Sequence, residues 1–448
     1  MKKILICDET HPSIFPMLDE IGFTYDYLPK ITRPEILEII TQYEGLIIRS
    51  KTFIDAQFLD KATNLQFIGR AGAGLDLIDL QGVTKKNIKI FAANEGNRDA
   101  LAEHCMGMIL TLFNKINIAD TQVRKGIWLR EANRGEELKG KTIGLIGYGN
   151  MGKAFAQRLS GFGVKVWAYD KLSKNYSDKY AKEASMKQIF EEADVLSLHI
   201  PLTEATRNLV NQDFINRFKK PFFLINSSRG EVAELEAIVA ALQSGKLKGA
   251  CLDVLENEKL DRLTSAQQPI YEALFQLENV ILTPHIAGWT HESYVKINEV
   301  LVEKILEFDL KRKIQVFAQN ALTNTSEYNW LDYGLISTEN ANQIFHQTGL
   351  DLSEYTHTLD SSFIQHTFKN HGSESEESKK GQIAVTNEDF NFIPSIISNF
   401  DFVEKTGISR QGLQTIQYCK KIGDTYYYVV EVRQNRKKLV TKTMFKKI

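Results

Sequence analysis

Three polar side chains follow apolar runs in the first 290 residues: Arg229 in Asn226-Ser227-Ser228-Arg229-Gly230, Glu258 in Leu252-Asp253-Val254-Leu255-Glu256-Asn257-Glu258, and His285 in Thr283-Pro284-His285-Ile286-Ala287-Gly288. Singly, an Arg or Glu on a loop is usually a solvated surface residue. As a set they suit one chemistry. An imidazole titrating near neutrality can take a hydroxyl proton as hydride leaves the same carbon. A carboxylate on its other nitrogen would orient the ring and stabilise the imidazolium. A guanidinium offers a planar fork to a carboxylate and a forming carbonyl. These are the needs of oxidising a 2-hydroxy acid.

A hydride acceptor has its own signature. Gly147-Tyr148-Gly149-Asn150-Met151-Gly152 follows the apolar run 142–146 and opens a helical stretch. The first glycine permits a tight turn, the second lets backbone approach a pyrophosphate, and the third packs helix against strand. The helix N-terminus adds free N–H groups and a positive dipole end. Asp170 closes the next apolar run, 18 residues after Gly152. A carboxylate there accepts from ribose hydroxyls and repels a 2′-phosphate, so NAD is expected over NADP.

The elements that must position these groups alternate in type. Short β-rich runs at 4–7, 45–48, 66–69 and 88–91 are separated by candidate helices at 11–21, 33–42 and 55–62, which predicts parallel strands with crossover helices. One long helical segment is expected over about 97–125. A second α/β series runs from Lys141 through 165–169, 195–199, 222–226, 249–254 and 280–282, and the 291–308 periodicity predicts a helix returning to the first lobe. Ligands of such sheets bind beyond the carboxyl ends of the strands, where the three polar groups fall. After about Val316 the pattern changes. Ser373-Glu374-Ser375-Glu376-Glu377-Ser378-Lys379-Lys380 reads as a solvated loop, and strands are expected at 415–418, 425–431 and 439–445.

Composition narrows the functional classes. With 55 Lys+Arg against 56 Asp+Glu in 448 residues, the chain has no global field for nucleic acid or a membrane surface. Cys7, Cys105, Cys251 and Cys419 have no metal or redox spacing and read as buried thiols, and no metal site is expected. The opening Lys2-Lys3-Ile4-Leu5-Ile6-Cys7-Asp8 is too short for a signal peptide, and no run approaches a membrane span. A soluble cytoplasmic protein is the expectation.

Residues 1–315 resemble the D-isomer-specific 2-hydroxyacid dehydrogenases, most closely the phosphoglycerate dehydrogenase branch. The resemblance rests on Arg49-Ser50-Lys51-Thr52, Gly69-Arg70-Ala71-Gly72-Ala73-Gly74-Leu75-Asp76, Asn97 with Ala102-Glu103, Trp128, Glu137-Leu138-Lys139-Gly140-Lys141-Thr142, and the segments around Arg229, Glu258 and His285. It implies a two-lobed, doubly wound α/β architecture: a substrate lobe of flavodoxin type from 1–96 and 285–316, and a Rossmann lobe from 97–284. It further implies Arg229, Glu258 and His285 as catalytic triad, and NAD contacts at the glycine turn (Gly147, Gly149, Asn150, Met151, Gly152), Asp170, Pro201, Ser227, Asp253 and Gly288. Substrate contacts are implied at Arg49, Ser50, Lys51, Ala73, Gly74 and Asn97, with Arg49 and Lys51 suited to a phosphate and hence to 3-phosphoglycerate. A homodimer through the nucleotide lobe is also implied. One departure is Lys259, where the family usually has proline after the glutamate. His199, at another strand end, is read as structural, His104 as buried on a helix and His291 as a supporting residue.

Residues 317–358 are expected as a linker or helical connection and 359–448 as a small α+β domain. From Arg410 onward ten Lys/Arg face two acids, with aromatics interleaved as on an RNA-binding surface. This part resembles the phage-associated nuclease-like domains grouped with barnase, colicin and RelE-type ribonucleases. The resemblance implies His366, His371 and Thr443, with Lys420, Arg433 and Thr441, as candidates for acid/base work and phosphate contact, while a catalytically silent regulatory or binding module is expected ahead of RNA cleavage. Alternatives to a phosphoglycerate enzyme are a glyoxylate or hydroxypyruvate reductase, a non-catalytic NAD-sensing protein, and an RNA-binding or RNA-cleaving protein that carries the dehydrogenase.

Overall fold

A computed structural model describes residues 3–324, 328–409, 412–434 and 437–448, and the chain divides into two compact units, 1–302 and 303–448. The first unit holds two sheets. β1 (Lys3–Ile6), β2 (Thr24–Tyr27), β3 (Gly45–Ile48), β4 (Phe67–Arg70) and β5 (Lys89–Ala92) form an all-parallel sheet in the order β2-β1-β3-β4-β5. Leu46, Ile48, Ile68 and the helix residues Ile36, Phe58 and Leu59 share its core. The helix Ala56–Lys61 begins where expected because the Asp55 carboxylate accepts the Phe58 N–H at 2.9 Å.

The second sheet comprises β6 (Thr142–Ile146), β7 (Lys165–Tyr169), β8 (Lys182–Glu183), β9 (Val195–Leu198), β10 (Phe222–Asn226), β11 (Leu247–Leu252) and β12 (Val280–Leu282). All are parallel in the order β12-β11-β10-β9-β6-β7-β8. Apolar clusters cover both faces, so β9 and β10 are buried throughout, as a parallel sheet between helices requires. The single helix expected over 97–125 is two, Arg98–Phe113 and Ile116–Arg124, because Lys115 between them is left-handed at φ 50°. Of the second, no residue is buried. A helix from His291 to Thr323 follows β12. Its Asn298 side chain donates to the His11 carbonyl at 2.9 Å and accepts from Thr10 at 3.1 Å, which ties this segment to the first sheet.

In the second unit β13 (Trp330–Leu335), β14 (Thr356–Asp360), β15 (Phe402–Ile408), β16 (Gln414–Ile422), β17 (Thr425–Gln434) and β18 (Lys438–Lys447) form a mixed sheet ordered β13-β14-β18-β17-β16-β15. Only the β14–β18 pairing is parallel. The 317–358 stretch expected as a linker carries β13, the helix Thr338–Thr348 and the start of β14. The low-complexity stretch expected as a loop contains the helix Glu374–Lys379. There the buried Glu377 carboxylate accepts from His371 at 2.9 Å and Lys380 at 2.6 Å, a local network that composition does not reveal. Among the described residues, no helix is long and apolar enough to cross a membrane and no His/Cys/Asp/Glu group is placed to hold a metal.

Candidate active site

The turn after β12 presents His285 with a left-handed backbone, φ 56°. Its N–H donates to the Asp253 carbonyl at 2.8 Å. The buried Asp253 carboxylate holds the rest of the turn, accepting from Ile286 N and Ala287 N at 2.9 Å each and from the Thr283 hydroxyl at 2.5 Å. His104 closes this network, with Nε2 at 3.1 Å from the Thr283 hydroxyl. Asp253 therefore spends its oxygens on the turn that carries His285.

Glu258 Oε1 lies 2.8 Å from His285 Nδ1, and both side chains remain nearly half exposed. That bond raises the imidazole pKa above its ordinary value, against an opposing effect of burial. Lys259 follows Glu258, and hydrogen bonds shape the loop. The buried Tyr271 hydroxyl accepts from Asn257 N at 2.7 Å and donates to Asn257 O at 3.1 Å. The Asn257 side chain reaches Gln267 at 3.2 Å and accepts the Lys259 N–H at 3.0 Å.

Arg229 grips Asp76 Oδ2 through Nε at 2.9 Å and Nη2 at 2.6 Å, and donates from Nη1 to the Ser228 carbonyl at 2.7 Å. Three of its five N–H groups are so used. A Cβ on Gly74 would collide with this guanidinium, and Ala73 beside it is half-buried. Arg70 and Asp76 lie inside a segment quoted from the sequence, but neither was assigned a role there. Arg70 Nη1 bonds the Ala71 carbonyl at 2.7 Å while its buried Nε has no partner. Burial, with Arg229 and Arg49 nearby, pushes its pKa down to about 10.

Of the expected substrate residues, Arg49 lies beside this group, its guanidinium 4.1 Å from the Trp289 ring centroid. Ser50 is exposed. Lys51 is turned away, its ammonium donating to the carbonyls of Pro29 at 2.8 Å and Ile31 at 3.0 Å. Asn97 precedes the Arg98–Phe113 helix without a side-chain capping bond, packs against Gly288, and has a buried side-chain oxygen without a partner.

The glycine turn has the geometry its spacing demands. Gly147 has φ +92°, and a Cβ there would strike the His199 carbonyl; one on Gly152 would strike the Gly147 carbonyl. At Gly149, the cap of the Asn150–Leu159 helix, a Cβ would meet no protein atom within 4 Å, leaving open space at a helix N-terminus where a pyrophosphate fits. Asn150 and Met151 are half-buried in that first turn. Asp170 accepts from Tyr148 N and Leu172 N at 2.9 Å and Ser173 N at 3.0 Å. Burial raises its pKa, but these bonds outweigh it and hold the carboxyl below its usual range. Ser227 is buried, accepting from the Cys105 thiol at 3.2 Å, and Pro201 is exposed. His199 bonds Ser197 at 2.9 Å, and burial lowers its pKa to about 4, fitting a neutral structural imidazole.

In the second unit no hydrogen bond joins the expected residues to one another among those described. His366 bonds Asn370 at 3.0 Å, His371 bonds Glu377, and the buried Thr443 hydroxyl has no partner. Lys420 donates to the Asn399 carbonyl and Arg433 to the Tyr355 hydroxyl at 2.6 Å. Thr441 belongs to a buried cluster that sequence reading did not find: Glu431 accepts from His357 at 2.9 Å and from Tyr333 at 3.2 Å, with Thr441 3.4 Å away. His357 and Glu431 lie 74 residues apart, so nothing local signals the pair.

Comparison with known proteins gives two family matches. Residues 106–287 match the D-isomer specific 2-hydroxyacid dehydrogenase NAD binding domain, and 334–448 match the phage-Barnase-EndoU-ColicinE5/D-RelE like nuclease3 family. Hydroxypyruvate reductase of Thermotoga maritima is 36% identical over 289 residues, covering 64% of this chain and 91% of that protein. D-3-phosphoglycerate dehydrogenase of Archaeoglobus fulgidus is 32% identical over 306 residues, 68% of this chain but 56% of that protein. The chain thus spans little more than half the length of that relative. A D-lactate dehydrogenase from Aquifex aeolicus, solved with NAD and lactic acid, superposes with a TM-score of 0.58 at 27% identity, covering 68% of this chain and 95% of that one.

Proposed function

The chain belongs to the NAD-dependent D-isomer-specific 2-hydroxyacid dehydrogenases, and from that premise we propose that it oxidises D-3-phosphoglycerate to 3-phosphohydroxypyruvate, an entry step to serine. The observation that carries the substrate is the group of three guanidiniums: Arg70 packed on Gly72, Arg229 packed on Gly74, and Arg49 stacked on Trp289. Such a group suits an acid with two anionic ends.

NAD, when bound, supplies the hydride acceptor, with the Gly147–Gly152 turn holding its pyrophosphate and Asp170 its ribose. His285 takes the hydroxyl proton on Nε2, the nitrogen that Glu258 does not engage. As C2 gives up its hydride, the C–O bond becomes a carbonyl. Glu258 stabilises the imidazolium so formed. Arg229 uses its remaining N–H groups on the carboxylate and the developing carbonyl, and Asp253 keeps the His285 turn in place.

A second reading, hydroxypyruvate reduction, is favoured by the turned-away Lys51 and by the near full-length relative that bears that name. The deciding assay is NADH oxidation with 3-phosphohydroxypyruvate against hydroxypyruvate and glyoxylate. Preference for the phosphorylated acid is expected, and equal or better use of hydroxypyruvate would overturn the substrate.

Assembly as a homodimer through residues 116–129 is part of this proposal, supported by the exposed Ile116, Val123, Ile127, Trp128 and Leu129. For residues 334–448 a nucleic-acid-directed role is proposed, supported by the nuclease-like family match and the basic stretch from Arg410. Binding of single-stranded RNA by the full-length chain without cleavage is the expected result; cleavage that is lost in His366→Ala would make the module a ribonuclease instead. Intact RNA would leave the module without that activity.

A further inference from the structure

The Arg49 guanidinium lies 4.1 Å from the Trp289 ring centroid and 4.9 Å from that of Tyr294. The two rings are themselves in contact, 4.7 Å between centroids, and His11 stands edge-on to Tyr294 at 5.2 Å. Aromatic rings thus cover the face of the guanidinium. Its edge carries the N–H donors, and among the described residues they form no hydrogen bond or ion pair although Arg49 is half-buried.

Of the neighbouring carboxylates, two are already engaged and the third, Glu9, is exposed. Asp8 accepts the backbone N–H groups of Arg49 at 2.7 Å and Lys51 at 3.0 Å and the Thr52 hydroxyl at 2.6 Å. Asp76 is held by Arg229. Arg70 adds a third guanidinium and a buried, unpartnered Nε. Of the three guanidiniums, that of Arg49 alone makes no hydrogen bond or ion pair among the described residues.

Trp289 gives the arrangement its direction. It follows His285 by four residues, so the turn that carries the imidazole also carries the indole. It is 45% exposed, which makes core packing a poor account of its presence. An indole pressed on one face of a guanidinium excludes water from that side and fixes the plane in which the fork opens.

We infer that Trp289 and Tyr294 are specificity-determining positioning residues, holding Arg49 edge-on to the phosphate of a three-carbon 2-hydroxy acid whose carboxylate lies on Arg229. This rests on the phosphoglycerate reading above. It adds the means by which the phosphorylated acid is told from its unphosphorylated analogue.

The test is steady-state kinetics of the full chain with NADH on 3-phosphohydroxypyruvate and on hydroxypyruvate, for wild type, Trp289→Ala, Trp289→Phe and Arg49→Ala, with melting temperatures to verify folding. Trp289→Ala is expected to lower the ratio of kcat/KM values, phosphorylated over unphosphorylated, about tenfold, through KM and not kcat. Trp289→Phe, which keeps an aromatic face, should restore most of the ratio, and Arg49→Ala should lose it. A ratio unchanged in Trp289→Ala, while Arg49→Ala loses it, overturns the clamp and leaves the substrate standing. A wild type that reduces hydroxypyruvate without preferring the phosphorylated acid overturns the substrate reading and the clamp together.

Discussion

At the scale of single residues, the His285–Glu258 pair governs how the reaction responds to pH. The hydrogen bond that His285 donates to Glu258 keeps the imidazole charged to a higher pH than a free histidine. Oxidation needs neutral His285, so its rate should climb as pH rises through the elevated pKa; reduction needs the imidazolium and should fall over the same interval. Glu258→Gln removes the charge, so both limbs should move to lower pH, toward about 6.5. Profiles of kcat/KM in the two directions check this, and unmoved limbs would mean that Glu258 does not set the proton affinity. His285→Ala is expected to slow turnover by roughly 10²- to 10⁴-fold, measured as NADH formation. Arg229, Glu258 and His285 can be singled out in the sequence because each is polar beyond the end of an apolar run. Asp76 cannot, since its meaning depends on Arg229, 153 residues away. The charge of Lys51 suits a phosphate, but the sequence does not reveal that its ammonium meets two carbonyls.

At the scale of elements, hydrogen bonds shape the loop between β11 and β12. Tyr271 satisfies both backbone groups of Asn257, the residue before Glu258. Tyr271→Phe should cost about 1 kcal/mol of stability, read from denaturant unfolding. It should also lower kcat more than KM, and unaltered kcat would show that the loop needs no brace. The glycine turn allows a sharper prediction. A methyl group on Gly152 runs into the Gly147 carbonyl, so Gly152→Ala should weaken NADH binding at least tenfold by fluorescence titration. Strand positions and the glycine turn could be read in advance because burial on both faces and tight spacing leave strong patterns. The break at Lys115 could not, being a left-handed residue of a type that rarely adopts that conformation.

At the scale of the whole molecule, Trp128 is 81% exposed, in line with the Ile116–Arg124 helix whose residues are all outside the core. Trp128→Glu should convert a dimer to monomers in light scattering, and a wild type already monomeric would remove that surface from consideration. The fold class of both units was legible, though β13 and the start of β14 lie where a linker or helical connection is expected, because β13 is short and mostly exposed and gives little alternation. One local feature also bears on global stability. His285 holds a backbone conformation that costs about 1 kcal/mol for most side chains but that asparagine visits readily. His285→Asn should therefore be inactive yet melt no lower than wild type, which would make it a durable decoy able to hold an acid and NAD together without consuming either. Durability and turnover compete at that one position, so a screen for heat resistance alone would tend to discard the catalyst.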